Sequence, residues 1–241
     1  MKIPKVLTNL PEYLRPLGVL ARGGVTEVSG IRVALSPRFS YKLMRRVCQG
    51  GYEDDDVLKV RATLEPEDVV LELGAGLGVV ASACAQIVGS ERVFCFEANP
   101  ALERDIRRTF ELNGVEPSLE MAAVGPRAGE VELWIGKHFW SSSLVEREKL
   151  DETVRVPQRA LRDVLEAHDP SYLMVDIEGG EYELFRGADL RNVRKLAIEM
   201  HPHVIGSEKV DEAMGWLQDA GFEEIPEYTR GRGLFLARKS R

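Results

Sequence analysis

Short apolar runs alternate with amphipathic segments from residue 69 to near the C-terminal end of the chain. Five of these runs are rich in β-branched or aromatic residues and bounded by Gly, Pro or Asp, as buried strands are. The predicted strands are residues 69–73, 92–97, 118–124, 171–176 and 195–200. Helical patterns lie between most of them, at residues 79–88, 100–113, 161–168, 182–190 and 207–220. Parallel strands need crossover connections, so this alternation predicts an α/β fold with a mainly parallel sheet and helices on both faces.

Two segments depart from this alternation. The strand patterns at residues 223–228 and 233–239 have no helix between them and predict an antiparallel hairpin that completes a seven-stranded sheet. Residues 125–157 contain strand patterns around a polar loop, His-Phe-Trp-Ser-Ser-Ser, and predict a β insertion. Long insertions of this kind often carry substrate contacts.

The first quarter of the chain has a pattern of its own. Residues 25–35 predict a hairpin, and residues 37–48 and 53–64 predict two helices. This segment is small for an independent domain. We therefore predict an N-terminal extension that acts as a lid, residues 1–65, and a main domain at residues 66–241.

Composition and charge narrow the classes of partner. The chain has 241 residues, 44% of them apolar, and a net charge of −7, which disfavours a broad phosphate-binding surface and therefore nucleic acid. The cysteines, Cys48, Cys84 and Cys95, have no Cys-x-x-Cys spacing, so we expect reduced packing residues in a cytoplasmic protein. No apolar run approaches the length that spans a bilayer, so we expect neither a membrane partner nor an export signal.

The end of the first predicted strand carries an unusual combination of residues. Glu72 is followed by three alternating glycines, Gly74, Gly76 and Gly78, at the turn into a helix. Ligands of open α/β sheets bind beyond the C-terminal strand ends, and glycine lets a ligand lie against the backbone. The spacing differs from the G-x-G-x-x-G dinucleotide pattern, and the loop contains no Lys or Arg. Glu72 would repel a diphosphate but attract a cationic ligand such as S-adenosylmethionine.

A second carboxylate, Glu97, ends the next predicted strand. A carboxylate at this position can accept hydrogen bonds from both hydroxyl groups of a ribose. NAD sites share this contact, so Glu97 indicates a nucleoside ligand but does not distinguish S-adenosylmethionine from NAD. The alternative is that Glu97 is a solvated glutamate at a strand end, with no ligand. Ala98, Asn99 and the end of the third strand at Ala123 and Val124 would then flank the adenine.

Several motifs together resemble one family. They are G-G-Y-E-D-D-D, E-L-G-A-G-L-G, F-E-A-N-P, A-A-V-G, M-V-D-I-E-G-G-E-Y-E-L-F-R-G and A-I-E-M-H, within residues 50–221. They resemble the FkbM family of Rossmann-like, class I S-adenosylmethionine-dependent methyltransferases, although Gly76 stands where family members often have Asn. The resemblance implies a class I methyltransferase domain at residues 66–241, S-adenosylmethionine as the cofactor, and O-methylation of hydroxyl groups on sugars and natural products.

Candidate catalytic residues follow the fourth and fifth predicted strands. Asp176 and Glu178 are spaced by two on an expected extended segment, so both would face one side and could orient a hydroxyl, accept its proton or hold a divalent cation. His201 should open onto the same crevice, where an imidazole can accept a proton near neutral pH. A helix-capping Glu178 and a structural His201 are the alternatives. His201 and His203 lack a complete ligand set, so no metal site is predicted.

These observations lead to one prediction and its rivals. The predicted cofactor-binding residues are Tyr52, Glu72, Gly74, Ala75, Gly76, Gly78, Glu97, Ala98, Asn99, Ala123 and Val124. The predicted catalytic residues are Asp176, Glu178 and His201, with His138 of the insertion as a weaker candidate. We expect an S-adenosylmethionine-dependent methyltransferase that O-methylates a small molecule or saccharide.

Three rivals stay open beside this prediction. An N- or C-methyltransferase belongs to the same class, although the N-P-P-Y segment of amide and base N-methyltransferases is absent. A nicotinamide oxidoreductase is disfavoured by the glycine spacing, Glu72 and the lack of a Y-x-x-x-K pair. The third rival is a non-catalytic cofactor-binding protein. A homo-oligomer is compatible with the sequence, which leaves the oligomeric state and the acceptor open.

Overall fold

The computed structural model describes residues 14–136 and 150–238. The predicted polar loop at residues 138–143, with His138, lies outside the described residues. The described helices are α1 (Arg15–Leu20), α2 (Tyr41–Cys48), α3 (Asp54–Thr63), α4 (Val79–Val88), α5 (Glu103–Asn113), α6 (Leu161–His168), α7 (Glu181–Phe185), α8 (Pro202–Ile205) and α9 (Ser207–Asp219). The described strands are β1 (Val25–Val28), β2 (Ile31–Ala34), β3 (Val70–Leu73), β4 (Val93–Phe96), β5 (Ser118–Glu120), β6 (Ala123–Gly125), β7 (Gly129–Gly136), β8 (Leu150–Ala160), β9 (Tyr172–Val175), β10 (Lys195–Glu199), β11 (Phe222–Glu224) and β12 (Gly233–Arg238).

Seven strands form the central sheet, in the order β11-β12-β10-β9-β3-β4-β5. The neighbours β10, β9, β3, β4 and β5 run parallel, whereas β12 runs antiparallel to both β10 and β11. The predicted α/β fold with a seven-stranded, mostly parallel sheet is confirmed. From β3 the chain moves outward through β4 and β5 and then returns to β9 on the other side of β3, so the strand order reverses between β3 and β9.

Two buried layers cover the sheet, one on each face. Val70 of β3 packs in one layer with α3, α4 and α5, whereas Leu71 packs in the other with α6, α7 and α9. This division follows from the pleat, which sends successive side chains to opposite faces. None of the helices in the described part of the chain is long and apolar enough to cross a bilayer.

The N-terminal segment packs onto the α4 and α5 face. The antiparallel β1–β2 hairpin buries Val28, Ile31 and Val33 in the same layer as Val79 and Ile106. Arg32 of β2 also donates its backbone N–H to Asn113 Oδ1 at 2.9 Å. The extension therefore shares its core with the sheet, and its division from the rest of the chain at residue 65 stays a prediction.

Three predicted elements differ in detail. The third strand is split: β5 belongs to the central sheet, whereas β6 pairs with β8 in a separate three-stranded sheet ordered β6-β8-β7. The helix predicted at residues 182–190 ends at Phe185, because Gly187, with φ of +69°, turns the chain away. Strand β11 stops before Pro226, which has no N–H to donate to a sheet.

Candidate functional site

A cavity of about 390 Å³ opens at the C-terminal ends of β3, β4 and β9, where the strand order reverses. Ligands of open α/β sheets bind in this position. The predicted residues that line it are Tyr52, Gly74, Gly76, Glu97, Ala98, Ala123, Val124, Asp176 and Glu178. Glu72, Ala75, Gly78, Asn99 and His201 lie outside this lining.

The glycine loop is held against its neighbours by close contacts. Gly74, with φ of +94°, packs so tightly against the backbone carbonyl of Asp176 that no side chain would fit. Gly76, with φ of +55°, faces the ends of the Tyr52 and Glu53 side chains, and a Cβ there would lie 2.6 Å from Tyr52 Oη. The loop therefore presents bare backbone to the cavity, as a closely bound ligand requires.

Glu97 is held at the tip of β4 by backbone donors. Its Oε2 accepts a hydrogen bond from the Gly76 amide at 2.9 Å, and its Oε1 accepts one from the Asn99 amide at 2.8 Å. Burial raises the pKa of Glu97 to about 6, against the opposing effect of these backbone hydrogen bonds. At neutral pH the carboxylate is therefore mostly ionised, and the two amides hold it in place to accept further hydrogen bonds from a ligand.

Glu72 lies beneath the loop and not in the main cavity. It points to the face covered by α3 and α4, where it borders a small space of about 30 Å³ with Glu53 and Glu199. Burial, followed by the charges of Glu97, Asp56 and Asp176, raises the pKa of Glu72 to about 8. The side chain is therefore mostly protonated at neutral pH, so the direct attraction to a cationic ligand expected from the sequence is reduced.

The other predicted residues outside the lining support the loop from behind. Ala75 is buried and donates its N–H to Phe96 O at 3.1 Å. Asn99 is buried, and its Oδ1 accepts a hydrogen bond from the Ala101 amide at 3.1 Å. Gly78 lies immediately before α4, and a Cβ there would lie 2.8 Å from the Phe110 ring, so its bare backbone lets α4 pack closely on α5.

Tyr52 and Glu53 form the wall opposite the glycine loop, just before α3. Tyr52 is buried and Glu53 is half-buried in the cavity wall, and Tyr52 hydrogen bonds to the Glu53 carboxyl. Burial is the main cause that raises the pKa of each side chain well above its usual value. Glu53 has φ of +52°, an unusual conformation for a residue other than glycine, which aims its side chain at Gly76.

Four acidic side chains surround His201 at the ends of β9 and β10. His201 Nδ1 lies 2.7 Å from Glu181 Oε1, and its Nε2 lies 3.6 Å from Asp176 Oδ1, 3.6 Å from Glu178 Oε2 and 3.7 Å from Glu199 Oε1. Burial lowers the pKa of His201, but the hydrogen bond to Glu181 and the surrounding charges raise it overall. His201 is only 1% exposed, whereas the Asp176 side chain is 47% exposed. Asp176 can therefore contact a ligand directly, and His201 lies behind it.

A second cavity of about 540 Å³ adjoins the first. The two share lining residues Arg46, Glu53, Asp56, Glu199 and Arg232. Most of the remaining lining is polar or charged, including Asp54, Asp55, Lys59, Glu227, Tyr228 and Arg230. Two ligands can thus meet where the cavities join.

Several residues that line the first cavity were not predicted from the sequence. Arg232 comes from the loop before β12 and binds Glu199 Oε1 at 2.6 Å, and no local pattern in Thr-Arg-Gly-Arg-Gly indicates this contact. Leu133 comes from β7, where the alternation of Val-Glu-Leu-Trp-Ile does indicate an inward side chain. It links the predicted insertion to the cavity.

A family model described as methyltransferase FkbM domain matches residues 72–224. The chain belongs to the FkbM methyltransferase family. As an FkbM methyltransferase it uses S-adenosylmethionine as its cofactor. No curated protein matches the chain significantly.

Solved structures resemble this FkbM methyltransferase at low sequence identity. Methyltransferase FkbM from Methylobacillus flagellatus KT is 13% identical over 93% of this chain and 58% of its own, with a TM-score of 0.49. A precorrin-6y C5,15-methyltransferase from Geobacter metallireducens GS-15 is 17% identical over 78% of this chain and 88% of its own, with a TM-score of 0.47. Aeropyrum pernix fibrillarin, with natively bound S-adenosyl-L-methionine, is 17% identical over 76% and 72%, with a TM-score of 0.43. Similarity at this level carries no information about the acceptor.

The first cavity of this FkbM methyltransferase fits its cofactor. Its volume lies in the range of small-molecule sites, about 300–1,000 Å³. Glu97 would supply a carboxylate acceptor for ribose hydroxyl groups, and Ala98, Ala123 and Val124 would supply apolar surface for an adenine. A side chain at Gly76 would project towards Tyr52 and Glu53 and fill part of this space.

Proposed function

We propose that this FkbM methyltransferase methylates a hydroxyl oxygen of a small molecule or saccharide. The observation that carries this proposal is the polar second cavity, which meets the cofactor cavity at Glu53, Asp56, Glu199 and Arg232. A polyhydroxylated acceptor offers many hydrogen-bond donors and acceptors, and such a lining can bind them. The resemblance to FkbM proteins implies the same acceptor class.

The cofactor residues have separate tasks in this proposal. Glu97 accepts the ribose hydroxyl groups, Ala98 and Val124 flank the adenine, and Tyr52 closes the opposite wall over the methionine end. When bound, the cofactor supplies a methyl group that its sulfonium makes electrophilic. The main contribution of the protein is therefore to position the acceptor and exclude water.

Asp176 is the residue we assign to the acceptor hydroxyl. Its side chain is the most exposed of the carboxylates that face His201 Nε2, and it lines the cofactor cavity. Its carboxylate can orient the hydroxyl group and accept its proton. Glu178 stands beside it, and the buried His201 lies behind these two carboxylates without touching the acceptor.

The test is an acceptor screen built from matched pairs. The protein is incubated with S-adenosylmethionine and pairs of sugars, phenols or polyketides that differ only in carrying a hydroxyl or an amine, and adenosylhomocysteine is measured. We expect product from hydroxyl members, loss of turnover with retained cofactor affinity in Asp176→Asn, and weakened cofactor affinity in Glu97→Gln. Product from the amine members alone would mean that the enzyme is an N-methyltransferase and not an O-methyltransferase. Cofactor binding without turnover on any acceptor would favour a non-catalytic protein, and binding of NADH in its place would favour an oxidoreductase.

A further inference from the structure

Three side chains at the junction of the two cavities are spaced like the ligands of one metal ion. One ligand atom each from Asp176, Glu199 and His201 lies within 4.8 Å of the other two. Asp176 Oδ1 is 3.6 Å and Glu199 Oε1 is 3.7 Å from His201 Nε2, too far for a hydrogen bond. Two ligand atoms about 2.1 Å from one cation at a tetrahedral angle lie about 3.4 Å apart, close to these separations.

The imidazole of His201 provides an independent indication of a ligand. Its Nε2 is buried, points at the carboxylates, and has no hydrogen-bond partner among the residues that the structure describes. Buried polar atoms are nearly always satisfied, so an orphaned ring nitrogen here calls for an explanation. A cation between Nε2 and the carboxylates would satisfy it.

The other ring nitrogen of His201 is held as in metal-binding histidines. Nδ1 lies 2.7 Å from Oε1 of the fully buried Glu181, which is itself fixed by the Gly179 amide at 3.0 Å. An N–H donated from Nδ1 to this carboxylate leaves the Nε2 lone pair free to coordinate. Metal-binding histidines commonly donate their second ring N–H to a carboxylate in this way.

Local charge also favours a cation. Asp176, Glu178, Glu181 and Glu199 bring four carboxylates to one imidazole. Arg232 offsets part of this charge through its 2.6 Å contact with Glu199 Oε1. A proton on His201 would offset one further charge, whereas a divalent cation would offset two.

We propose that Asp176, Glu199 and His201 bind one divalent cation of the Mn²⁺ or Zn²⁺ kind. The donor set decides this class, since imidazole suits transition metals and carboxylates suit Mn²⁺, whereas Mg²⁺ prefers oxygen ligands alone. Binding runs against the sequence-based expectation of no metal site. A cation here would lie beside the acceptor hydroxyl and lower its pKa. This catalytic role rests on the proposed function; binding of the ion does not.

The test uses Mn²⁺ itself and does not require turnover. The full chain is freed of metal with a chelator, and the electron paramagnetic resonance signal of free Mn²⁺ is followed during titration. We expect one Mn²⁺ per chain, displaced by Zn²⁺ and not by equal Mg²⁺. Asp176→Asn and His201→Gln should each raise the Mn²⁺ dissociation constant at least about tenfold. The matched control is Glu67→Gln, which removes the same charge just before β3, at the opposite end of the sheet, and should leave binding unchanged.

Several outcomes overturn the ion site. Absence of Mn²⁺ binding at millimolar concentration by the folded wild type would do so, as would unchanged binding in both site variants. If His201→Gln fails to fold by circular dichroism, the half-exposed Asp176→Asn still decides the matter. A chain that binds Mn²⁺ as expected but methylates no hydroxyl acceptor supports the ion site and contradicts the proposed function. A chain that methylates a hydroxyl acceptor but binds no Mn²⁺ supports the proposed function and contradicts the ion site.

Discussion

Replacing Gly76 with alanine adds a Cβ atom to the wall of the cavity that we propose binds the cofactor. The new Cβ would lie 2.6 Å from Tyr52 Oη and 2.7 Å from Glu53 Oε1, so at least one of these side chains must move. Gly76 also has φ of +55°, and an L-residue in this region costs about 1 to 2 kcal/mol. The variant thus combines a loss of stability from backbone strain with a displacement of side chains in the cavity wall.

A matched control separates the two effects. Gly114, which directly follows α5, has φ of +66°, and a Cβ there would meet no atom within 4 Å. Both alanine variants should lower Tm by several degrees, since about 1 kcal/mol corresponds to about 2–4 °C in a chain of this size. Gly76→Ala alone should weaken adenosylhomocysteine binding by about tenfold or more, equivalent to about 1.4 kcal/mol. Calorimetry measures the affinity and scanning fluorimetry measures Tm.

Two results would refute this reasoning. Gly76→Ala that binds adenosylhomocysteine as tightly as the wild type would mean that Tyr52 and Glu53 do not border the bound cofactor. Equal loss of affinity in Gly114→Ala would attribute the effect to general destabilisation and not to the cavity wall.

Two further substitutions test the electrostatics of the sheet. Because burial raises the pKa of Glu72 to about 8, the folded chain binds a proton that the unfolded chain has released, and stability should fall as pH rises from about 5 to 8. Glu72→Gln should flatten this dependence in urea denaturation, and an unchanged slope would contradict the assignment. Asp68 is fully buried before β3 and accepts hydrogen bonds from Ser171 at 2.6 Å and Lys195 at 2.8 Å. Asp68→Asn should lower the free energy of unfolding by about 1–3 kcal/mol and leave cofactor affinity intact; reduced affinity would contradict its separation from the site.

The sheet could be predicted because its signal is local. Short apolar runs separated by helical periods define β3, β4, β9 and β10, and crossover connections then require parallel pairing. The position of Glu97 also follows from local sequence, since it comes directly after β4. Parallel strand ends meet at one edge of the sheet, which places Glu97 beside the glycine loop.

The details of the acidic cluster could not be predicted in this way. Alternation along an extended segment was expected to bring Asp176 and Glu178 to one side, but β9 ends at Val175 and Glu178 has φ of +53°. Strand alternation therefore does not explain why these two side chains come together, although both do lie 3.6 Å from His201 Nε2. The contact of His201 with Glu181 joins the residues after β10 to the first residue of α7, 20 positions away in sequence, so no local pattern reveals it.

The direction of the Glu72 side chain, in contrast, could have been predicted from the pleat of β3. Val70 packs on the face covered by α3 and α4, and Glu72, two residues later, must point the same way. Its buried surroundings depend on Glu53 and Asp56, which the N-terminal segment brings from elsewhere in the chain. Residues of this kind determine the protonation of Glu72 and cannot be inferred from its own strand.

The family model matches a shorter part of the chain than the part that builds the sheet and its two cavities. A fragment limited to residues 72–224 would lose Tyr52 and Glu53 on one side and Arg232 on the other, and with them parts of both cavities. It would also lose β12, the strand that joins β11 to β10, and so expose the backbone edge of β10. A fragment cut at residues 72 and 224 would therefore have a sheet prone to self-association. The residues before 72 and after 224 are as much part of the methyltransferase as the segment that the family model matches.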